Sequence, residues 1–242
     1  MGKCIEYLPL TTVALVGITT AITFYLSYGY YQHVTYLLPY ISDTGTFPPE
    51  SCIFGQSLNI VSILLAFSIY IKYLQVREIY TKHHIDEKCH LNKVALIVGE
   101  LATSGLMVVA NFQETNAFLV HWIGAIFCFF GGSIYLCIQS LIYIKISPVI
   151  GQRKLTLVRI VLSIVSLVAF LVFQITAFLA YGQFTGNDIT KWHEEDGGFK
   201  LHQISTISEW IVAFCIMTYI SLFKEEFQNI VVQPLSIEFK EN

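Results

Sequence analysis

Six apolar stretches, each close to the length needed to cross a membrane, constrain the fold of this chain more than any other feature. They cover about residues 8–28, 53–73, 94–110, 117–143, 155–180 and 205–223. A helix needs roughly 20 apolar residues to span the hydrocarbon core of a bilayer. Only 13% of the residues are charged, against roughly a quarter in soluble domains. The sequence therefore predicts an all-α polytopic membrane protein, a six-transmembrane-helix bundle forming a single domain over residues 1–242.

The connections between these stretches differ in charge. The second connection and the region around the fourth are basic, whereas the opposite side carries only Lys191 and Lys200 as basic residues. By the positive-inside rule the basic connections face the cytosol, so both termini are predicted to be cytosolic. The residues that support this assignment are Lys72, Arg77, Lys82, Lys88, Lys93, Lys145, Arg153, Lys154 and Arg159. The expected partner is the lipid bilayer, and nothing in the sequence supports a role with nucleic acid.

The connection between the first two stretches is unusual. Its residues 39–50, PYISDTGTFPPE, are polar and turn-forming, with oily sequence on both sides. Pro39, Pro48 and Pro49 fix φ and remove backbone donors, while Asp43 and Gly45 favour tight local turns. The pattern predicts a compact and rigid loop that is presented at the surface on the non-cytosolic side.

Three of the predicted helices carry small or polar residues along one face. The spacing of these residues is three or four, which places them on one side of a helix, and such a face is not suited to lipid. It favours either close contact with a neighbouring helix or the lining of an internal cavity. The positions are Ala95, Gly99 and Thr103 in the third helix, His121, Ala125, Cys128, Gly132, Tyr135 and Gln139 in the fourth, and His202, Ser205 and Glu209 in the sixth.

Eight polar residues are predicted to lie on the non-cytosolic side or within the adjacent helix turns. They are Asp43, Glu50, Asn111, Gln113, Glu114, His121, His202 and Glu209. A carboxylate buried beside an imidazole suits an ion, proton, headgroup or catalytic site, because a low dielectric favours pairing. A hydrogen-bonded cap that closes the bundle is the structural alternative. Neither an activated nucleophile nor a metal-ligand motif accompanies them, so we assign no catalytic residue, metal or cofactor.

Several motifs together resemble the DNA-damage-regulated autophagy modulator (DRAM) family. The resemblance spans nearly the whole chain in order, and its most specific part is the proline loop with residues Pro39, Tyr40, Ser42, Asp43, Gly45, Pro48, Pro49 and Glu50. The other matching segments are VVANFQE at 108–114, HWIGA at 121–125, the pair Tyr135 and Gln139, WHEEDGGFKLH at 192–202, and the pair Glu209 and Trp210.

This resemblance implies a lysosomal or other endomembrane multipass protein that modulates autophagy, through the membrane or through autophagy or lysosomal protein partners, and without a defined reaction. The wider Frag/DRAM/Sfk group also implies alternatives. These are a lipid-handling protein related to GPI-anchor remodelling or phosphoinositide metabolism, and a location at the plasma membrane. A small-solute or proton-coupled transporter is a further alternative, although clear internal repeats and helices broken at mid-membrane are absent from the sequence.

Overall fold

The helices of this protein were assigned from a computed structural model that describes residues 5–35, 38–85, 90–150 and 153–231, apart from the side chain at position 153. Within those residues, six helices are long and apolar enough to cross a membrane, as the sequence predicts. They are α1 Leu8–Phe24, continued by a π-helical turn Tyr25–Tyr30, α2 Glu50–Lys82, α3 Leu91–Asn111, α4 Phe118–Ile150, α5 Arg153–Gln183 and α6 Phe199–Ser221, followed by the short α7 Lys224–Phe227.

Several helices extend beyond the predicted spans. The clearest case is α2, whose 33 residues correspond to about 50 Å of helix, well over the thickness of a hydrocarbon core. Its last turns include Arg77 and Lys82, which end the apolar pattern without ending the helix. Hydropathy marks the part of a helix that lipid can cover, whereas the helix itself continues until a capping or turn residue ends it.

The six helices form a ring in chain order. Each consecutive pair is packed together, and α6 also contacts α1, so the ring closes. One end of the ring carries the connections 31–49, 112–117 and 184–198, and we call it the proline-loop end. The opposite end, the α7 end, carries α7 beside the first described turn, Ile5–Tyr7. The outer surface is apolar, with Phe178 79% and Phe214 70% exposed, as expected for side chains that face lipid.

The ring encloses a cavity of about 1220 Å³ that is lined by residues from all six helices. Most of its wall is aliphatic or aromatic. The polar face predicted on α4 lines it through His121, Ala125, Cys128, Gly132 and Tyr135. These five residues of the polar face therefore line the interior of the ring and do not face lipid.

The proline loop is not the presented surface element that the sequence predicts. Pro48 and Pro49 are exposed, but Tyr40, Ser42 and Asp43 are buried, and Asp43–Gly45 forms one 3-10 turn. A polar segment can be buried only if its donors and acceptors are paired. Carboxyl groups of the loop itself and of two other segments supply those partners, so the loop folds into the mouth of the ring.

Candidate functional site

Three consecutive residues of the proline loop, 40–42, each donate a hydrogen bond to a different carboxyl group. The bonds are Tyr40 N–H to Asp43 Oδ2 at 3.2 Å, Ile41 N–H to Glu209 Oε2 at 2.8 Å and Ser42 Oγ–H to Glu114 Oε2 at 3.2 Å. The acceptors belong to the loop, to α6 and to the connection between α3 and α4. The loop thereby joins distant parts of the chain at the proline-loop end, and we call Asp43, Glu114 and Glu209 the carboxyl cluster.

The three members of the carboxyl cluster are almost fully buried, and they lie close enough to influence one another. Burial raises the pKa of Asp43 well above its ordinary value, and the negative charges of Glu114 and Glu209 raise this pKa further. Asp43 Oδ1 has no hydrogen-bond partner among the described residues, and Glu114 is the neighbouring carboxyl that raises the pKa of Asp43 most. A proton on Asp43 therefore accounts for both observations, because a protonated carboxyl can donate to a neighbouring carboxylate.

Tyrosine side chains complete the surroundings of the carboxyl cluster. Tyr181 O–H donates to Glu114 Oε1 at 2.6 Å. Tyr40 O–H donates to Ser205 Oγ at 2.8 Å, and Ser205 in turn donates to the Phe173 carbonyl at 3.0 Å. These bonds tie the loop to α5 and α6, which explains how Tyr40 can be buried without losing its hydrogen bond.

His202 lies beside this cluster without bonding to a carboxylate. Its ring stacks on Trp192 with centroids 4.2 Å apart and meets the Tyr40 ring edge-on at 5.1 Å. Its Nδ1 is buried and has no hydrogen-bond partner in the described structure. The predicted pairing of a cluster carboxylate with an imidazole is therefore absent at His202, where aromatic contacts take its place.

Glu50 is at the same end of the ring but belongs to a different pair. Its Oε1 lies 2.8 Å from His33 Nδ1, and the Glu50 side chain is fully buried. Sequence spacing does not predict this pair, because His33 lies in the connection after α1 and its partner is 17 positions away, at the start of α2. Among the described residues, the carboxylate and imidazole that the fold does bring together are these two.

The remaining predicted residues bond to groups outside the carboxyl cluster. The Asn111 side chain pairs with Asn59 of α2 through bonds of 2.8 and 3.1 Å and is exposed. His121 Nδ1 lies 2.6 Å from the Phe112 carbonyl, which can only accept, so this nitrogen carries the proton. Gln113 is partly buried, and its backbone carbonyl accepts hydrogen bonds from the backbone N–H groups of the following turn. In the described structure none of these three residues forms a hydrogen bond with a cluster carboxyl.

Charged side chains that the sequence analysis assigned to cytosolic connections are buried at the α7 end. Lys72 and Arg159 are both 0% exposed and both contact the buried carboxylate of Glu226 in α7. Lys72 also donates to Tyr143 and to Gln75. Two buried cations therefore share one carboxylate, so Lys72 and Arg159 are part of the buried interior at this end.

The burial of Lys72 has a signal in the sequence. The buried residues of α2 include Phe54, Leu58, Val61, Leu65, Ile69, Lys72 and Val76, at helical spacings of three and four. Lys72 continues this interior face. Helical spacing does not predict the partner of Lys72, because Glu226 lies 154 residues farther along the chain.

The carboxyl cluster has the chemistry of a cation or proton site. Within the described residues no three His, Cys, Asp or Glu side chains are arranged to hold a metal ion. Nor does any described Lys or Arg side chain form a salt bridge with the three carboxyls. The arrangement can therefore share protons among its members or accept hydrogen bonds from a cationic ligand.

Comparison with known proteins assigns the chain to a family. Residues 5–230 match the Frag1/DRAM/Sfk1/Cwh43P N-terminal domain. The chain belongs to this family. Rat DNA damage-regulated autophagy modulator protein 2 is 37% identical over 205 residues, which cover 84% of this chain and 76% of the relative. Human DNA damage-regulated autophagy modulator protein 1 is 35% identical over 208 residues, covering 83% and 82%.

A more distant relative has a different name. The frog Xenopus laevis protein named modulator of macroautophagy TMEM150B-B is 31% identical to this family member over 194 residues, which cover 79% of this chain and 72% of the relative. No solved structure matches the chain. The matched region of the family domain includes the carboxyl cluster and the Lys72, Arg159 and Glu226 network.

The raised pKa of Asp43 predicts how stability depends on pH. The folded state keeps the Asp43 proton at pH values where the unfolded chain, with an ordinary pKa of about 3.9, has lost it. Stability from this group is therefore present at low pH and is lost as the pH rises through the folded-state pKa. We expect a higher melting temperature in detergent micelles at about pH 5 than at about pH 8, and a smaller difference for Asp43→Asn.

Asparagine resembles the protonated carboxyl, since it accepts from Tyr40 N–H through its oxygen and donates to Glu114 through its amide. The matched control is Glu195→Gln, a change to an exposed acid at the same end of the ring, which should keep the wild-type dependence. An unchanged pH dependence in Asp43→Asn would show that Asp43 does not carry this proton in the folded state.

Proposed function

We propose that this chain is a lysosomal or endosomal multipass membrane protein that modulates autophagy by a non-enzymatic, membrane-embedded role. The observation that carries the proposal is its 37% identity, over 84% of its length, to a protein named DNA damage-regulated autophagy modulator protein 2. The second relative is named for autophagy as well, and a third for macroautophagy. A function shared by all three names is the simplest one to assign to this chain.

The geometry supports a role without a defined reaction. Within the described residues, the buried polar groups at the proline-loop end bond mainly to the loop and to each other. A covalent mechanism would need a nucleophile bonded to a base that a third group orients. The carboxyl cluster instead joins the loop to α5 and α6. We propose that it holds the ring in the conformation that autophagy or lysosomal membrane proteins recognise.

We further propose that residues 1–242 form one six-helix transmembrane domain with both termini in the cytosol. The charge asymmetry of the connections supports this orientation. The asymmetry remains when the buried Lys72 and Arg159 are left out of the count. Arg77, Lys82 and Lys93 lie at the α7 end, while the 184–198 connection at the opposite end contains the acidic residues Asp188, Glu194, Glu195 and Asp196. The carboxyl cluster would then face the lumen of the organelle.

Localisation combined with autophagic flux in cells lacking the protein tests the proposal. We expect re-expressed wild-type protein with a C-terminal tag to coincide with a lysosomal marker, and protease to remove the tag from intact organelles. Flux, measured as turnover of a lipidated autophagosome marker with and without lysosomal inhibition, should be low without the protein and restored by it. Glu209→Gln and His121→Ala should restore it less than Lys224→Ala, a change at the α7 end.

Two results would contradict parts of this proposal. Wild-type protein at the plasma membrane, with flux unchanged by its loss, would remove the autophagy assignment. Full restoration of flux by correctly folded and located Glu209→Gln and His121→Ala would leave these residues with a structural role only.

A further inference from the structure

The internal cavity and the carboxyl cluster meet at one place in the ring. Glu114 and Glu209 both line the cavity, near its proline-loop end. Glu209 is only 3% exposed, and its Oε2 accepts from Ile41 N–H. Among the described residues the hydrogen bond to the Glu209 carboxyl goes to Oε2 and none goes to Oε1, and the residue lies in the cavity wall. A buried carboxylate oxygen that faces an internal space is suited to a ligand that can donate to it.

The charge of the ligand follows from its partners. A carboxylate only accepts hydrogen bonds, and no described Lys or Arg forms a salt bridge with Glu114 or Glu209. The aromatic rings of Tyr40, Tyr181 and Trp210 also line this part of the cavity. Aromatic faces attract organic cations, most strongly where water is excluded. Carboxylates with aromatic neighbours therefore favour an ammonium group over a neutral or anionic one.

The rest of the ligand must be apolar and must come from the membrane. Below Glu209 the cavity wall continues through Ala213 and Ile216 on α6 and through Gly132 on α4, with few polar groups. Two strongly exposed residues, Phe178 and Phe214, also line it. Since the exposed surface of the ring faces lipid, the cavity is accessible from the side, within the bilayer. Its volume of about 1220 Å³ exceeds the roughly 300–1,000 Å³ of ordinary ligand pockets.

We propose that this cavity binds a long-chain amine from the membrane, with its ammonium group on Glu209 and Glu114 and its apolar tail along the α4 and α6 walls. This inference does not depend on the autophagy assignment, because it rests only on the lining, charge and openings of the cavity. The proline loop closes the polar end over the ammonium group, through the bond from Ile41 to Glu209.

A photocrosslinking experiment on the purified full chain in phosphatidylcholine nanodiscs tests the proposal. The probe is a long-chain primary amine with a diazirine and an alkyne in its tail, and the comparison probes are the alcohol and the carboxylic acid with the same tail. We expect the amine to label cavity-lining peptides, to be displaced by unlabelled long-chain amine, and to bind about tenfold or more tightly than the other two.

Two variants with matched controls locate the site. Glu209→Gln keeps an acceptor for Ile41 N–H and should weaken the binding of the amine about tenfold, without affecting the alcohol. Ala213→Trp fills the cavity one turn from Glu209 and should abolish specific labelling by all three probes, while Ile211→Trp, on the lipid-facing side of α6, should not. Ala213→Trp leaves the carboxyl cluster intact, so it tests the site even if Glu209→Gln fails to fold.

The outcomes separate clearly. Preferential and displaceable amine labelling that Glu209→Gln and Ala213→Trp reduce would support the proposal. Equal labelling by the amine, alcohol and acid would show that the cluster does not select a cation. Labelling by the amine that Ala213→Trp leaves unchanged in folded protein would place the ligand outside the cavity. Either of these last two results overturns the proposal.

Discussion

Replacing Glu226 by alanine is expected to destabilise the folded chain by about 3–5 kcal/mol, the cost of removing one partner from a buried ionic network. Glu226 is the carboxylate shared by Lys72 of α2 and Arg159 of α5. Without it, two adjacent positive charges remain buried with no counter-ion among the described residues. The Arg159 guanidinium lies 3.6 Å from the centroid of the Tyr143 ring, and this contact compensates for only part of the loss.

The measurement is the melting temperature of the purified protein in detergent micelles. The neighbouring acid offers a matched control, because Glu225 is exposed and Glu225→Ala should melt like the wild type. Glu226→Gln, which keeps one acceptor oxygen but replaces the other with an NH2 donor and loses the charge, should lie between them. If Glu226→Ala and Glu225→Ala melt together, the network does not join α2, α5 and α7 as the contacts indicate.

The second large effect is expected at the closest approach of α3 and α4. A Cβ atom added to Gly105 would lie 2.6 Å from the Cys128 backbone nitrogen and 2.7 Å from the Gly124 carbonyl oxygen. Both are backbone atoms in the facing helix, so no side chain can move aside to make room. Gly105→Ala should therefore force the helices apart and destabilise the protein by about 1–3 kcal/mol, despite the better helix propensity of alanine.

Gly17→Ala is the matched control for this substitution. Gly17 also lies within a transmembrane helix, but a Cβ atom there would meet nothing within 4 Å, so its melting temperature should stay equal or rise slightly. The same detergent measurement compares the two variants. Equal melting of Gly105→Ala and the wild type would show that α3 and α4 can separate at little cost.

The sequence placed the small residues of α3 correctly on an interior face but did not identify the tightest contact. Gly99 of the predicted Ala95, Gly99 and Thr103 series does approach α2 and α4, since a Cβ atom there would lie 2.9 Å from Ile69 Cγ2 and 3.0 Å from Tyr135 Cδ2. Those neighbours are side chains. Which glycine meets backbone depends on the rotation and distance of two helices, and helical spacing contains neither quantity.

What the sequence by itself determined is the part of the structure that depends on short-range pattern. Length and hydropathy identified all six membrane helices, because the cost of burying a charge or an unpaired backbone group in lipid acts on each segment separately. Spacing of three and four placed His202, Ser205 and Glu209 on one buried face of α6. For the same reason, the spacing of the polar residues of α4 predicts that they face the interior.

Only the tertiary structure decided which polar and charged groups are partners. Ile41 and Glu209 are 168 residues apart, and Lys72 and Glu226 are 154 apart, so no local rule connects them. The proline loop shows the consequence, since its composition predicts a presented surface turn, yet three carboxyls accept its hydrogen bonds and it folds into the ring. Burial of a polar segment is favourable only when its donors and acceptors have hydrogen-bond partners. Here the packing of the helices places those partners, which come from elsewhere in the chain, within bonding distance.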